Sequence, residues 1–288
     1  MNGKEEKKMT GKKITKETEQ FVIQTYKQRP MTYDECAKLC SLSYSSIFKI
    51  LKRNHIKPYS RAQLFSPDFK ENYFSEINTE DKAYFLGLIM TDGCISTTSA
   101  TKFVAIELKS YDSYILQKFL DCVGSTRKLT RDKRCDCMTA TVSSKKVVAD
   151  LKKYGCAEHS SLTQQFPKNV PENMMRHFVR GLIDGDGSLG YYTVTVKGRV
   201  RNNHYKSVRM CSGNYQFLKD MMTYMQNTLG LNLDYNAIQR EKENLYSFKY
   251  SNKHDVSIIL HWLYDDATIY LTRKKEICDK ILAEIEKA

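Results

Sequence analysis

Two aspartates occupy matched places in this chain, each at the end of an apolar run and each followed by glycine. Asp92 ends the run of residues 83–91, and Asp186 ends the run of residues 178–185, 94 residues later. An acid at the C-terminal end of a helix costs about 0.3–1 kcal/mol, because it adds negative charge to the negative end of the helix dipole. Two neighbouring carboxylates also repel each other. A divalent cation would remove both penalties, so the pair indicates a metal site.

Small residues spaced four apart in each run would allow the two helices to pack closely. These residues are Gly87 and Thr91 in the first run and Gly181 and Gly185 in the second. Residues at i and i+4 lie on one helix face, and small side chains there let two helix backbones approach closely. We therefore predict that the two helices pack along these faces and bring their C-terminal ends, with both acids, side by side.

The predicted metal is Mg²⁺ or Mn²⁺. The two carboxylates, the backbone carbonyl oxygens of Thr91 and Gly185 at the helix ends, and phosphate oxygens are hard ligands of the kind that Mg²⁺ prefers. We expect Gly93 and Gly187 to adopt the left-handed conformation that ends a helix and turns the chain into a strand. The alternative interpretation is that each Asp-Gly pair is only a turn.

Length and charge define the class of the protein. The chain has 288 residues and a formal net charge of +13, with basic residues along its whole length. Such a charge favours a polyanionic partner, above all double-stranded DNA, whereas a basic amphipathic helix with an aromatic face, suited to a membrane surface, is not seen. No stretch approaches the roughly 18–20 apolar residues of a membrane span. The charged N-terminus lacks the apolar segment of a secretory signal, so we expect an intracellular, soluble protein.

The nine cysteines are expected to be reduced thiols, because nothing indicates export. Cys135-Asp136-Cys137 could suggest a metal site, but no second cysteine pair accompanies it. We therefore favour simple alternation of these residues in a strand.

Residues 14–60 are predicted to form a small all-α helix-turn-helix domain, preceded by a disordered basic arm at residues 1–13. Thr32 and Glu35 match a capping box, and Ser43 can cap a second helix after a tight turn. Through residue 61 the chain has 14 Lys and Arg residues against six Asp and Glu. The second helix is expected to contact DNA through Tyr44, Ser45, Ser46, Lys49, Lys52 and Arg53. The alternative is an ordinary helical hairpin.

The rest of the chain repeats itself loosely. Residues 61–79 have turn-forming residues and little periodicity, as in a linker. From about residue 80 the order helix, strand, strand, helix, strand, strand, helix occurs twice, with a period of about 94 residues. This pattern predicts an α+β fold of two pseudo-symmetric αββαββα units, residues 80–175 and 176–288.

The two motifs resemble a known pair. FLGLIMTDG (residues 85–93) and VRGLIDGDG (residues 179–187) are similar to the signature helices of single-chain LAGLIDADG homing endonucleases. The second motif matches closely, whereas the first has Met90 where the family often has an acid, at a position that packs or caps. The resemblance covers about residues 78–288. It implies that Asp92 and Asp186 bind the catalytic metal and that two antiparallel sheets form a monomeric saddle over DNA.

The resemblance also implies a reaction. Each strand of a specific duplex site would be cut by a metal-activated water attacking a phosphate in line, leaving short 3′ overhangs. The family places a basic residue near each site, and Lys274 in IYLTRKKE is the best match, with Arg273 beside it as a DNA contact. In the first unit His159 and Ser160 stand where a lysine is expected, which departs from the family pattern. Lys109 and Arg209 are further candidates for DNA contacts.

Two other functions fit the same fold. One is a DNA-binding regulator that does not cut, and the other is a maturase that binds intron RNA and assists splicing. The two aspartates argue against the regulator, because acids that face phosphates weaken binding unless a metal neutralises them.

Overall fold

The computed structural model describes residues 14–97, 101–158, 160–196, 199–231 and 237–287. The chain divides into two compact units, Met1–Asp68 and Phe69–Ala288. The expected basic arm at residues 1–13 lies outside the described residues. Among the helices of the described ranges, none is long and apolar enough to cross a membrane.

Helices make up the described part of the first unit. They are α1 (Lys16–Gln28), α2 (Tyr33–Cys40), α3 (Tyr44–Arg53) and α4 (Arg61–Phe65). The predicted caps are confirmed: Thr32 and Glu35 form a capping box, and the Ser43 hydroxyl accepts a hydrogen bond from the Ser46 amide at 3.2 Å. Ser41 ends α2 in the left-handed conformation with φ 54°, which turns the chain tightly into α3.

A small apolar core holds these helices together. It contains Val22, Tyr26, Met31, Cys36, Ala37, Ile47, Ile50 and Leu51. The three residues from α3 are those that the 3.6-residue period turns inward. The Tyr59 hydroxyl, beyond α3, donates to the Tyr26 carbonyl at 3.2 Å, and the Tyr59 amide donates to the Tyr26 hydroxyl at 3.1 Å. The chain after α3 is thereby fixed against α1.

The predicted order of helix, strand, strand, helix, strand, strand, helix occurs twice in the second unit, with a short helix between the two repeats and a further helix after the second. Its helices are α5 (Glu80–Asp92), α6 (Ser113–Cys122), α7 (Lys145–Lys153), α8 (Ser160–Thr163), α9 (Glu172–Gly185), α10 (Tyr215–Leu229), α11 (Lys253–Tyr264) and α12 (Thr272–Glu286). Its strands are β1 (Gly93–Ser96), β2 (Phe103–Lys109), β3 (Thr130–Asp132), β4 (Cys137–Ser143), β5 (Ser188–Val196), β6 (Arg199–Ser212), β7 (Gln239–Lys242) and β8 (Leu245–Tyr250).

The strands form two antiparallel sheets with the same strand order. The first is β1-β2-β4-β3 and the second is β5-β6-β8-β7. In β2, Val104, Ile106 and Leu108 are buried, whereas Glu107 and Lys109 are exposed. Because successive side chains point to opposite faces, one face of this sheet packs into the core and the other stays open. In the second sheet, Val208, Met210 and Phe248 are buried in the same way.

Helices α5 and α9 approach each other most closely at Gly87 and Gly181. A Cβ atom added to Gly87 would lie 3.0 Å from the Cα of Gly181 and closer still to the Phe178 carbonyl oxygen. A Cβ atom on Gly181 would likewise lie 3.1 Å from the Cα of Gly87 and closer still to the Tyr84 carbonyl oxygen. The two backbones therefore touch, and no larger side chain fits at either position without moving a helix.

The glycines after the two aspartates are not left-handed, so that prediction is wrong. Gly93 is extended with φ −101° and ψ 157°, and Gly187 is not among the described glycines with positive φ. At both positions a Cβ atom would clash with the preceding helical turn, at 2.7 Å from the Cα of Ile89 or of Ile183. Glycine is required here by close approach to the helix rather than by a left-handed turn.

Two further expectations differ from the structure. Residues 69–77, in the expected linker at 61–79, supply Phe69, Tyr73, Phe74 and Ile77 to the core of the second unit, so only the first part of that segment can act as a connection. Cys135 lies in the turn before β4 rather than in the strand, because Asp136 adopts the left-handed conformation with φ 51°. The interpretation of residues 135–137 as an alternating strand is therefore wrong.

Replacing Gly181 by alanine tests the helix crossing. In a helix exposed to water this change stabilises by about 1 kcal/mol through helix propensity. Here we expect destabilisation by about 1–3 kcal/mol, because the methyl group overlaps the backbone of α5. Urea unfolding measures the difference. Lys280→Ala, on the exposed face of α12, is the control and should change stability by less than about 0.5 kcal/mol. A stabilised Gly181→Ala protein would rule out the close crossing.

Candidate active site

The crossing of α5 and α9 places both predicted acids at one end of the helix pair. Asp92 is the last residue of α5, and Asp186 follows directly after α9. The Thr91 hydroxyl donates hydrogen bonds to the Leu88 carbonyl and to the Asp92 carboxylate, each at 3.1 Å. A Cβ atom added to Gly185 would lie 2.6 Å from the Thr91 Cβ and would also meet the Asp92 carboxylate. The two helix ends are therefore in contact where the acids stand.

The pKa values show that the acids share one environment. Loss of water around its carboxylate raises the pKa of Asp92 from 3.8 to about 6, and the negative charge of Asp186 adds to this rise. The Thr91 hydrogen bond and the cations Arg273 and Lys274 oppose it. Loss of water also raises the pKa of Asp186, and Lys274 again opposes the rise. Excess negative charge in a poorly hydrated place is a condition that a bound cation relieves.

Lys274 lies against the C-terminal end of α9. It is in the first turn of α12, and its side chain is buried. Its ammonium group donates to the carbonyl oxygens of Ile183, at 3.1 Å, and Gly187. Burial lowers the pKa of Lys274 to about 8, and the neighbouring carboxylates of Asp184 and Asp92 limit the fall. The structure thus brings Lys274 into the neighbourhood of both predicted metal ligands.

Asp184 positions the start of α12, a role that sequence reasoning did not assign to it. Its fully buried carboxylate accepts hydrogen bonds from the hydroxyls of Tyr84 at 2.9 Å and Tyr264 at 2.6 Å, and from the Leu271 amide at 2.7 Å. These partners come from α5, from α11 and from the residue before α12. Burial raises the pKa of Asp184, and its hydrogen bonds oppose the rise. Asp184 therefore fixes the helix that carries Lys274.

Two residues from the first half of the unit also hold the start of α12. The buried Asp112 carboxylate accepts from the Arg273 Nε at 2.9 Å, and the Tyr114 hydroxyl accepts from the Thr272 amide at 2.6 Å. Sequence reasoning missed both, because their partners lie more than 150 positions away. The Nε atom of Arg273, a predicted DNA contact, is already engaged in this ion pair.

A second contact between the two halves of the unit uses an amide rather than an ion pair. Asn214 caps α10, and its side-chain amide donates to the carbonyls of Leu162 at 3.1 Å and Gln164 at 2.9 Å. Of the two residues expected in place of a lysine here, His159 lies outside the described residues, and so does the side chain of Ser160.

The predicted DNA contacts of the sheets lie on their open faces. Lys109 is exposed and donates to the Cys135 carbonyl at 2.7 Å. Arg209 pairs with Glu241 at 2.9 Å in a groove on the second sheet. That groove is lined by Ser188, Gly190, Tyr192, Ser207, Gln239 and Lys249 in addition to this pair. It contains both hydrogen-bond donors and hydrogen-bond acceptors, the groups that read base edges in known protein–DNA contacts.

The predicted contacts on α3 are mostly on its solvent side. Tyr44, Ser45, Lys49, Lys52 and Arg53 are exposed, and Ser46 is half-buried. Arg53 pairs with Glu19 of α1 through its Nε at 3.1 Å. Phe48 is exposed as well, with the Lys52 ammonium 5.6 Å from its ring centre. Sequence reasoning missed Phe48, although its spacing of four from Tyr44 places both on one helix face.

Several solved structures have this architecture. The LAGLIDADG meganuclease I-AabMI bound to uncleaved DNA matches 71% of this chain and 91% of its own length, with a TM-score of 0.52 and 13% identity. The meganuclease I-SmaMI bound to uncleaveable DNA with a TTGT central four matches 71% and 91%, with a TM-score of 0.51 and 11% identity.

A third structure is the I-LtrWI LAGLIDADG homing endonuclease bound to target DNA. It matches 76% of this chain and 92% of its own length, with a TM-score of 0.50 and 10% identity. The chain has the fold of the LAGLIDADG homing endonucleases. Comparison of the sequence with protein-family models and with curated proteins finds no match.

The residues at the helix ends fit a divalent cation of the Mg²⁺ class. The donors are carboxylate oxygens, with the backbone carbonyls of the helix ends beside them, and no soft ligand is needed. Asp92 has a raised pKa, so its carboxylate is destabilised until positive charge arrives. Lys274 supplies part of that charge, but its hydrogen bonds go to carbonyls, which leaves carboxylate oxygens of the two acids for a cation.

The raised pKa of Asp92 predicts a pH-dependent stability. Between about pH 4 and pH 6 the folded chain keeps a proton that the unfolded chain releases, so stability falls as pH rises through this window. Asp92→Asn removes the penalty and keeps the Thr91 hydrogen bond. Without divalent metal, it should be more stable than the wild type by about 1–2 kcal/mol near neutral pH, and equally stable below about pH 4.

Urea unfolding at both pH values measures this difference. Asp121→Asn, on the exposed face of α6, is the matched control and should have no effect beyond about 0.5 kcal/mol. A gain in Asp92→Asn that is equally large in acid would show that the carboxylate charge is not its cause.

Proposed function

We propose that this protein is a site-specific, metal-dependent DNA endonuclease of the homing type. It cuts both strands of a duplex and leaves short 3′ overhangs. The observation that carries the proposal is the contact of two helix ends bearing Asp92 and Asp186, with a buried lysine beside them. The meganuclease structures of the same fold are bound to DNA, and the net charge of +13 suits the same partner.

Each residue of the site has a distinct task. Asp92 and Asp186 would hold Mg²⁺ or Mn²⁺, together with the backbone carbonyls of Thr91 and Gly185. A bound cation would supply the activated water for in-line attack on the phosphate and positive charge for the leaving oxygen. Lys274 adds positive charge where the phosphate gains negative charge, because its pKa of about 8 keeps it mostly protonated at neutral pH.

The open faces of the two sheets and the first unit bind the duplex. Lys109 and Arg209 contact DNA from the sheets, and Arg273 approaches the backbone near the scissile phosphates. In the first unit, α3 is the recognition helix of a helix-turn-helix and contacts DNA through Tyr44, Ser45, Ser46, Lys49, Lys52 and Arg53. The exposed basic residues of α3 support this assignment.

Asp186→Asn separates cutting from binding. Digestion of a randomised duplex library in Mg²⁺, followed by sequencing of the ends, first provides the target site. On that site the variant should lose more than 100-fold in cleavage rate, since losing even an indirect metal partner costs about 10–100-fold. Its affinity for the duplex should stay within about threefold, because no basic contact is removed.

Asp279→Asn, an exposed acid of α12, is the control and should cut normally. Unchanged cutting by Asp186→Asn would remove the catalytic assignment. A wild-type protein that binds a specific site but never cuts it, in Mg²⁺ or Mn²⁺, would instead be the non-cutting regulator.

Removal of residues 1–60 tests the first unit. The second unit is compact from Phe69 onward, so the truncated protein should fold, which circular dichroism checks. Its DNA affinity should fall by about 10-fold or more. The slope of log affinity against log salt concentration should become shallower by about 0.9 for each phosphate that the first unit neutralises. Cleavage should persist at higher protein concentration.

A full-length protein with Lys49→Gln and Lys52→Gln is the matched variant. Both side chains are exposed, so the unit should stay folded while its affinity falls in the same direction. A folded truncation without any nuclease activity would contradict a DNA-binding unit that is independent of the chemistry.

A further inference from the structure

Three potential metal ligands meet on the open side of the first sheet, apart from the helix ends. The Cys135 and Cys137 thiols and the Glu107 carboxylate each offer one ligand atom, and these atoms all lie within 4.8 Å of one another. Cys137 is buried, Cys135 is half-buried and Glu107 is exposed. The group therefore consists of two thiols with a solvent-exposed carboxylate beside them.

Strand pairing brings Glu107 and Cys137 together. In the register of β2 and β4, Glu107 is opposite Thr139 and Lys109 is opposite Cys137, so these side chains share the face that does not pack into the core. The Thr139 hydroxyl donates to the Glu107 Oε2 at 3.2 Å and fixes the carboxylate. The other carboxylate oxygen remains for a ligand bond.

Contacts of the β3–β4 turn fix Cys135. The Asp136 carboxylate accepts from the Ser110 hydroxyl and from Arg131, both at 2.8 Å, and the Lys109 ammonium donates to the Cys135 carbonyl at 2.7 Å. The Cys135 and Cys137 thiols contact the carbonyls of Asp132 and Cys135 at 4.0 and 3.3 Å, and these are weak hydrogen bonds. The turn is thus held in place while its sulfur atoms remain available.

The chemistry of this ligand set selects the ion. Two thiolates and one carboxylate suit Zn²⁺, which binds sulfur at about 2.3 Å and carboxylate oxygen at about 2.0–2.2 Å, whereas Mg²⁺ avoids sulfur. Those bond lengths place tetrahedral ligands roughly 3.5 Å apart, so the group needs to contract by only about 1 Å. We propose that Cys135, Cys137 and Glu107 bind one Zn²⁺, with the fourth position open to solvent.

A bound ion would change the charge of the sheet face that carries Glu107 and Lys109. Glu107 places a negative charge there, and a bound cation neutralises it while tying the β3–β4 turn to β2. The proposal does not depend on the proposed nuclease function, because its ligands are separate from Asp92 and Asp186 and its metal is of a different class.

Cobalt titration of the reduced, full-length protein tests the site without DNA or Mg²⁺. Co²⁺ substitutes for Zn²⁺, and thiolate ligands give it a charge-transfer absorption band that a carboxylate site cannot produce. We expect one equivalent bound at micromolar cobalt with this absorption, and displacement by Zn²⁺. Cys135→Ser and Cys137→Ser should each abolish the absorption, and Glu107→Gln should weaken binding about 10-fold or more while circular dichroism stays unchanged.

Two control variants exclude other thiols. Cys94→Ser removes an exposed thiol from β1 of the same sheet, and Cys36→Ser removes one of a pair whose sulfur atoms lie 4.0 Å apart in the first unit. Both should bind cobalt like the wild type. Absence of thiolate absorption in the wild type, its survival in Cys135→Ser and Cys137→Ser, or its loss in Cys36→Ser would overturn the proposal and leave the nuclease assignment untouched.

Discussion

The direct backbone contact between α5 and α9 is the constraint on which the site depends. Gly87 and Gly181 lie opposite each other with no room for a side chain, and Gly185 meets Thr91 in the same way one turn later. Because the helices approach so closely, two acids from distant parts of the chain lie together at the C-terminal ends of α5 and α9. The close approach also concentrates negative charge, since the pKa of Asp92 rises to about 6. The fold therefore places two acids in surroundings that disfavour their negative charge, and a divalent cation would relieve this cost.

Contacts between the two halves of the second unit differ in charge. At the start of α12, the buried Asp184 carboxylate and the Asp112–Arg273 ion pair fix the helix, so that Lys274 reaches the end of α9. Near residues 162–164, the chain is held instead by the neutral Asn214 amide. In such poorly hydrated surroundings the electric field of a charged group is weakly screened, whereas a neutral amide contributes only hydrogen bonds. Positive charge from the start of α12 accordingly reaches both acids, since Lys274 acts on Asp92 and Asp186, and Arg273 acts on Asp92.

Patterns that lie within a single helix were enough to predict several features of the fold. The small residues at spacing four gave the helix crossing, and the Thr32 capping box and Ser43 cap gave the starts of α2 and α3. What failed depends on distant partners. The conformation of Gly93 follows from the path into β1 and the nearness of Ile89. The burial of Phe74 in the expected linker requires a core that exists only in the folded unit.

Among the site residues, those that a sequence motif marks could be predicted, and those that depend on distant partners could not. Asp92 and Asp186 could be selected from motif spacing, because the repeat itself places them alike. Asp112 could not be selected in this way, since nothing near it in the sequence indicates that its partner is an arginine 161 positions away.

Anomalous diffraction from crystals of the protein grown with its duplex and Mn²⁺ would locate the cation. We expect manganese coordinated by both Asp92 and Asp186, whereas manganese bound by only one of them, or by neither, would rule out a metal site shared by the two helix ends.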